Sequence, residues 1–188
     1  MASFFGGNMS VKIIYFVHGT TSDNASKLCS GWKDVLLNDL GRAQALNLGK
    51  VSKERGDMFD VMFTSDLQRA IDSSNLAFPD IEKIRDNRLR ECNYGDLDGK
   101  HKSLVIYEEH ISEKFPNGES LEDVYERVND FVSYLKENYD GMCVGIVAHR
   151  APQLVLESIC KGISLEEAIN NDWRKTGDWQ PGWIYEIK

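Results

Sequence analysis

Three stretches of the chain are apolar almost without a break: Ile13-Ile14-Tyr15-Phe16-Val17, Val61-Met62-Phe63 within Asp60 to Ser65, and Met142 to Ala148. Such runs, rich in β-branched and aromatic side chains, read as strands buried on both faces. Ile81 to Ile84 reads as a shorter strand and Trp183 to Ile187 as an edge strand. Between them apolar residues recur at three- and four-residue steps, the period of a helix lying on a sheet. One helix is expected from a cap at Asn38 or Asp39 to about Arg55, with Gly56 suited to the left-handed position past its end. Leu40, Ala43 and Leu46, with Ala45, Leu48 and Val51, form its expected buried stripe. Further helices are expected at about Leu67 to Ala77, at His101 to Ile111, and from Ser120, where Asp123 completes a capping box. In the last of these Leu121, Val124, Val128, Phe131 and Leu135 step along one face. Arg150-Ala151-Pro152 opens another helix, with Pro152 suited to its first position and Gly162 to its close. A short helix follows near Leu165 to Ile169. Lys27 to Asp34, Tyr94 to Gly99 and Pro116-Asn117-Gly118 read as loops and turns. Strands alternating with amphipathic helices predict an α/β chain, a three-layer α/β/α sandwich with a mainly parallel sheet and Met142 to Ala148 as its most central strand. Residues 11–188 are expected to form one domain, and 1–10 a loose extension in which Met9 is an alternative start.

Composition narrows the partners. At 188 residues the chain can bury one sizeable core. Its 22 basic and 30 acidic residues leave a net charge of −8, which argues against nucleic acid or an acidic membrane as partner. An anionic ligand therefore requires basic residues gathered locally against the overall field. No stretch reaches membrane-spanning length, and Met1 to Ser10 has no signal-peptide pattern. Cys29, Cys92, Cys143 and Cys160 show no CxxC pair and no metal-ligand spacing, so free thiols in a reducing, cytoplasmic setting are expected.

The residues able to do chemistry follow the apolar runs. Two buried strands each end on a histidine, His18 and His149, and a third ends at Ser65 with Arg69 four residues on. In a parallel sheet those ends share one edge, where open α/β sheets bind ligands. Gly19 lets backbone approach whatever His18 faces, and Thr20, Thr21 and Asn24 add short hydrogen-bonding groups. Two imidazoles, a guanidinium and a helix N-terminus together suit a phosphoryl group, which arginine binds bidentately and helix N–H groups favour. Glu91, in a loop after the third strand, could supply a proton. Other polar residues have plainer readings. His101 and His110 read as solvated, Trp173, Trp179 and Trp183 as packing for the C-terminal segment, and Ser30-Gly31-Trp32 as a turn.

In series, these motifs resemble the histidine phosphatase superfamily, the phosphoglycerate mutase-like enzymes, on its phosphatase branch. The family's opening Arg-His-Gly-x-Thr-x-x-Asn stands here as Val17-His18-Gly19-Thr20-Thr21-Ser22-Asp23-Asn24. Gly31-Trp32-Lys33-Asp34, with Leu37, Gly41 and Gln44-Ala45, follows its next signature. Ser65-Asp66-Leu67-Gln68-Arg69-Ala70, Leu89-Arg90-Glu91 with Gly95 and Gly99, Gly118-Glu119-Ser120 and His149 then come in the family's order. The resemblance spans nearly the whole chain from Ile13. It implies that His18 is the nucleophile and carries a transient phosphohistidine. Arg69 and His149 would stabilise the equatorial oxygens of the transition state, and Glu91 would protonate the leaving alkoxide and then deprotonate water. It also implies that Asn24, Gly19, Thr21, Ser30 and Gly31 lie at the substrate, with backbone N–H groups after His18 and His149 completing the cradle; Arg150, next to His149, is a further candidate there. No metal and no cofactor are implied. The expected reaction is hydrolysis of a small organic phosphomonoester, with inorganic phosphate as product.

Two positions depart from the family pattern: Val17 stands where arginine is usual, and Arg150 where glycine is usual. Losing a preorganised cationic donor costs roughly 3–4 kcal/mol at the transition state, or ~10²–10³ in rate. Either Arg150 restores that charge from the opposite strand end, or it is a solvent-facing residue that opens a helix while Val17 simply packs. Two other functions stay open. One is a phosphoglycerate-type mutase, against which stands the short segment Lys100 to Asn117 between Gly99 and Gly118. The other is a catalytically weakened phospho-ligand binder, which Val17 motivates.

Overall fold

The computed structural model describes residues 10–187. Strands β1 (Val11–Val17), β2 (Val61–Thr64), β3 (Lys83–Arg85), β4 (Cys143–Ala148) and β5 (Trp183–Ile187) form one sheet in the order β3-β2-β4-β1-β5. The first four in that order are parallel, and β5 pairs antiparallel with β1 at the edge. The helices are α1 (Ser22–Ala25), α2 (Asp39–Arg55), α3 (Gln68–Ala77), α4 (Leu121–Asn138), α5 (Arg150–Lys161), α6 (Leu165–Asn170) and α7 (Trp173–Thr176). The apolar runs are strands because both of their faces are covered. Ile13, Tyr15, Phe63, Val144 and Ile146 pack against Phe131 and Leu135 of α4 and Leu156 of α5. The alternate residues Ile14, Phe16, Met62 and Val147 pack against Leu48 of α2 and Ala77 of α3. The result is the expected three-layer α/β/α sandwich, with β4 in the middle of the sheet.

The capping signals hold in detail. Ser120 and Asp123 form the capping box of α4, Asn38 caps α2 by accepting from Gly41 N, and Gly56 and Gly162 end α2 and α5 in the left-handed conformation.

Three expectations are corrected. The buried row of α2 is Gly41, Ala45, Leu48 and Ser52, while Leu40 and Leu46 are 59% and 57% exposed, Ala43 is exposed and Val51 half-buried. The helix lies too close to its neighbours for large side chains. A Cβ on Gly41 would stand 2.0 Å from Thr20 O, and one on Gly49 would stand 2.0 Å from Ala77 O. The segment from His101 to Ile111 holds two single 3-10 turns, Lys102–Leu104 and Tyr107–Glu109, instead of a helix. Its backbone is drawn into pairing with the loop after β1, through Cys29 N to Lys100 O and Lys102 N to Lys27 O. Finally, α5 begins at Arg150 with His149 as N-cap, so Pro152 is its third residue; its missing N–H still falls where no intrahelical acceptor exists.

All four cysteines are free. No helix among the described residues is long and apolar enough to cross a membrane. The expected extension over 1–10 lies, apart from Ser10, outside the described residues.

Candidate active site

Strand register brings the two histidines together. Val17 of β1 stands opposite Ala148 of β4, so the chain leaves the two strands side by side, and the next residues are His18 and His149. His18 N donates to Ala148 O at 3.1 Å. On the far side of β4, Thr64 stands opposite Val147, and the side chain of the next residue, Ser65, reaches His149. The imidazole centres are 5.0 Å apart, with planes inclined at 60°. Tyr15 pins the second histidine: its hydroxyl donates to His149 O at 2.7 Å and accepts from His149 N at 3.0 Å.

Hydrogen bonding sets the proton on the His18 ring. His18 Nδ1 lies 2.7 Å from Gly19 O, and a carbonyl only accepts, so Nδ1 carries the proton and Nε2 keeps a free lone pair. Burial, reinforced by Arg69, lowers the His18 pKa from 6.5 to about 3, so the ring is neutral at pH 7. Burial and Arg69 likewise hold His149 well below the ordinary histidine value. Its Nε2 lies 2.8 Å from Ser65 Oγ, which already accepts Leu67 N at 3.3 Å. The buried His149 Nδ1 has no partner among the described residues.

His18 opens onto a cavity of about 640 Å³, a volume that holds a small organic molecule and not only a phosphate. Among the described residues, Arg69, Lys102, Arg150, Arg174 and Lys175 line it with one carboxylate, Glu91. This is the local gathering of cations that an anionic ligand requires in a chain of net charge −8. Arg69 is 2% exposed and donates through Nη1 to Lys33 O at 2.9 Å and through Nη2 to Gly31 O at 2.7 Å, drawing that loop around the site. Glu91 caps α5 from a distant loop. Its Oε2 accepts Arg150 N at 3.2 Å, and its Oε1 accepts Ala151 N and Cys92 N, each at 2.9 Å. Arg127 of α4 holds the Glu91 loop by donating to the carbonyls of Arg88, Arg90 and Glu91, while its Nε pairs with Glu119. No group of three or more His, Cys, Asp or Glu able to hold a metal occurs among the described residues.

Of the residues expected at the site, His18, Arg69, Glu91, Asn24, Ser30, Gly31 and Arg150 line this one cavity, and His149 is buried beside His18. Gly19 and Thr21 do not line it. The close approach that Gly19 allows is to the backbone of α2: a Cβ there would stand 2.3 Å from Gly41 O, and the Gly19 N–H donates to Ser73 Oγ. Thr21 has no exposed surface and caps α1, accepting Asn24 N at 3.1 Å. The expected backbone cradle is also taken up by the chain itself, since Thr20 N donates to Gln44 Oε1 and Arg150 N to Glu91. Asp34 accepts Gln68 N, so the N-terminus of α3 already holds a carboxylate. Arg150 fits neither simple expectation, because it faces the cavity but is ion-paired at 2.6 Å with Asp172. His101 lines the cavity, whereas His110 stacks on Phe115. Trp173 and Trp183 stack on each other, while Trp179 is 55% exposed. Sequence reasoning missed Tyr15, Arg127, Asp172 and Arg174, which stand in no motif and act through partners far along the chain.

The sequence profile of the histidine phosphatase superfamily (branch 1) matches residues 14–177. The 2,3-bisphosphoglycerate-dependent phosphoglycerate mutase of Bartonella bacilliformis is 33% identical over 169 residues, covering 81% of this chain and 82% of the relative. Among solved structures, the alpha-ribazole phosphatase from Shigella flexneri aligns with a TM-score of 0.75 at 23% identity, over 85% of this chain and 84% of that one. Bacillus stearothermophilus YhfR aligns with a TM-score of 0.74 at 26% identity, over 84% and 83%. A profile spanning most of the length, together with a relative a third identical over four fifths of it, shows that the chain belongs to the histidine phosphatase superfamily.

Proposed function

We propose that this protein is a phosphatase that hydrolyses a small organic phosphomonoester through a phosphohistidine on His18. The paired imidazoles carry the reading. A neutral His18 offers a free Nε2 lone pair beside His149, whose buried Nδ1 lacks a partner among the described residues. A buried polar group left unpaired costs on the order of 1–3 kcal/mol, which a phosphoryl oxygen would recover by accepting from a protonated Nδ1. Nε2 attacks phosphorus, and the N–P bond forms as the bond to the ester oxygen breaks; Glu91 gives that oxygen its proton. Water then attacks phosphorus, Glu91 takes a proton from it, the N–P bond breaks and inorganic phosphate leaves. In so loose a transition state, positioning and charge supply most of the catalysis, and the cations around the cavity provide the charge.

Steady turnover of p-nitrophenyl phosphate in EDTA tests this. His18→Ala is expected to abolish turnover, and Glu91→Gln to lower kcat by about 10²–10⁴. A phosphorylated substrate is expected to leave an acid-labile, base-stable label on His18. Phosphate binding without turnover by the unaltered protein would leave a binding protein and defeat the proposal. A second reading, a mutase, is favoured by the 33% identical relative of that name. It predicts that a bisphosphate primer elicits transfer between substrate positions faster than hydrolysis. The two single turns between His101 and Ile111, in place of a larger insertion that could grip substrate in two orientations, favour hydrolysis.

A further inference from the structure

Asp172 is a carboxylate out of contact with solvent, and it holds two arginines of the cavity wall. Its Oδ2 accepts Arg150 Nε at 2.6 Å, and its Oδ1 accepts Arg174 Nη1 at 3.0 Å and Arg174 N at 3.1 Å. The Arg150 guanidinium lies 4.5 Å over the Tyr107 ring and that of Arg174 lies 4.3 Å over the Trp173 ring. Arg174 Nη2 also donates to Gln153 Oε1 at 3.2 Å. Each guanidinium is thus fixed in plane by an aromatic face and a carboxylate edge. The two Nη groups of Arg150 make no hydrogen bond among the described residues.

The helix N-termini beside the cavity are already occupied, that of α3 by Asp34 and that of α5 by Glu91, and backbone carbonyls hold the Arg69 guanidinium in place. Burial would raise the Asp172 carboxyl, yet Arg174 and Arg150 keep it below its ordinary value, so it stays an anion able to orient them. Arg174 also contributes, after burial and Arg69, to the lowered His18 pKa, which sets its charge within range of the nucleophile.

We propose that Asp172 is a positioning residue that aims Arg150 and Arg174 at the phosphoryl group on His18, with Arg174 supplying charge at a strand end where Val17 supplies none. The proposal rests on the phosphatase reading of the site, and measuring binding and turnover separately keeps the two apart. Arg174→Ala is expected to weaken inorganic phosphate binding and to lower kcat by about 10²-fold, with an unchanged circular dichroism spectrum. Arg174→Lys is expected to recover only part of the loss, because a point charge lacks the planar fork. Added guanidinium at millimolar level is expected to restore activity to Arg174→Ala and not to His18→Ala, a rescue that a purely structural role would not show. Asp172→Asn is expected to lower kcat more than it raises KM. If that variant does not fold, Asp172→Glu and the arginine variants decide. Phosphate affinity and kcat within about twofold of the unaltered protein in both Arg174→Ala and Arg150→Ala would overturn the proposal while leaving the phosphatase reading intact. An unaltered protein that neither binds phosphate nor turns over p-nitrophenyl phosphate would overturn both.

Discussion

A histidine in water is half protonated near pH 6.5, and a protonated ring cannot attack phosphorus. Burial and Arg69 remove that limit for His18 by lowering its pKa to about 3. The same shift fixes the sign of a stability effect. Below about pH 6.5 the unfolded chain takes up protons that the native His18 and His149 rings refuse, so stability falls as pH falls through that window and levels off above it. The thermal midpoint is expected to drop between about pH 6.5 and 4, and His18→Gln to flatten part of the slope. Equal slopes in the two proteins would mean that the ring titrates normally in the fold. Gly31 shows a second constraint at this scale. Its φ is +47°, a Cβ there would stand 1.9 Å from Asp98 Oδ1, and its carbonyl accepts Arg69. Gly31→Ala is expected to cost on the order of 1–2 kcal/mol of backbone strain and to lower kcat/KM further by displacing Arg69; parallel melts and kinetics separate the two.

Elements place these residues through two contacts. One is the pairing of Val17 with Ala148, which delivers both histidines to the same sheet edge. The other is the meeting of the loop after β1 with the first turn of α2, backbone against backbone at Gly19 and Gly41. Gly41→Ala would force a Cβ to 2.0 Å from Thr20 O, a clash with backbone that no rotamer relieves. Overpacking of this kind costs typically ~1–3 kcal/mol, and here the His18 loop must move with it. Gly41→Ala is therefore expected to lose activity beyond its loss in unfolding midpoint, although it lies outside the cavity. Loss of stability alone would show that the loop position is not set by this contact. Elements whose signals are local were legible beforehand: the capping box of α4, the glycine ends of α2 and α5, and the runs of β1, β2 and β4. The buried face of α2 was not, because the largest apolar side chains mark it wrongly when close approach requires small ones.

Over the whole molecule, a net charge of −8 surrounds a cavity lined, among the described residues, by five cations and one carboxylate. Asp172 pairs two of those cations and Glu108 a third, and an anion that binds the native site and not the unfolded chain stabilises the fold. Inorganic phosphate at 100 times its Kd is expected to add ~2.7 kcal/mol, or about 5–10 °C in the thermal midpoint for a chain of this size. Chloride at matched ionic strength serves as the comparison. The same rise with chloride would reduce the effect to screening.

The sequence alone determined the layered α/β architecture, the order of the strands' polar endings, and a set of residues suited to phosphoryl chemistry. Runs, periods and caps are local, and neighbouring parallel strands carry whatever follows them to one edge. Only the tertiary structure decided how the charge is arranged. Glu91 fills the N-terminus of α5, Asp34 fills that of α3, and Asp172 ties Arg150 to Arg174. Each of the two helix-end contacts joins residues far apart in the chain, and all of them turn on the direction a side chain takes. Neither a distant partner nor a side chain's direction is written into the spacing of residues along one strand or helix.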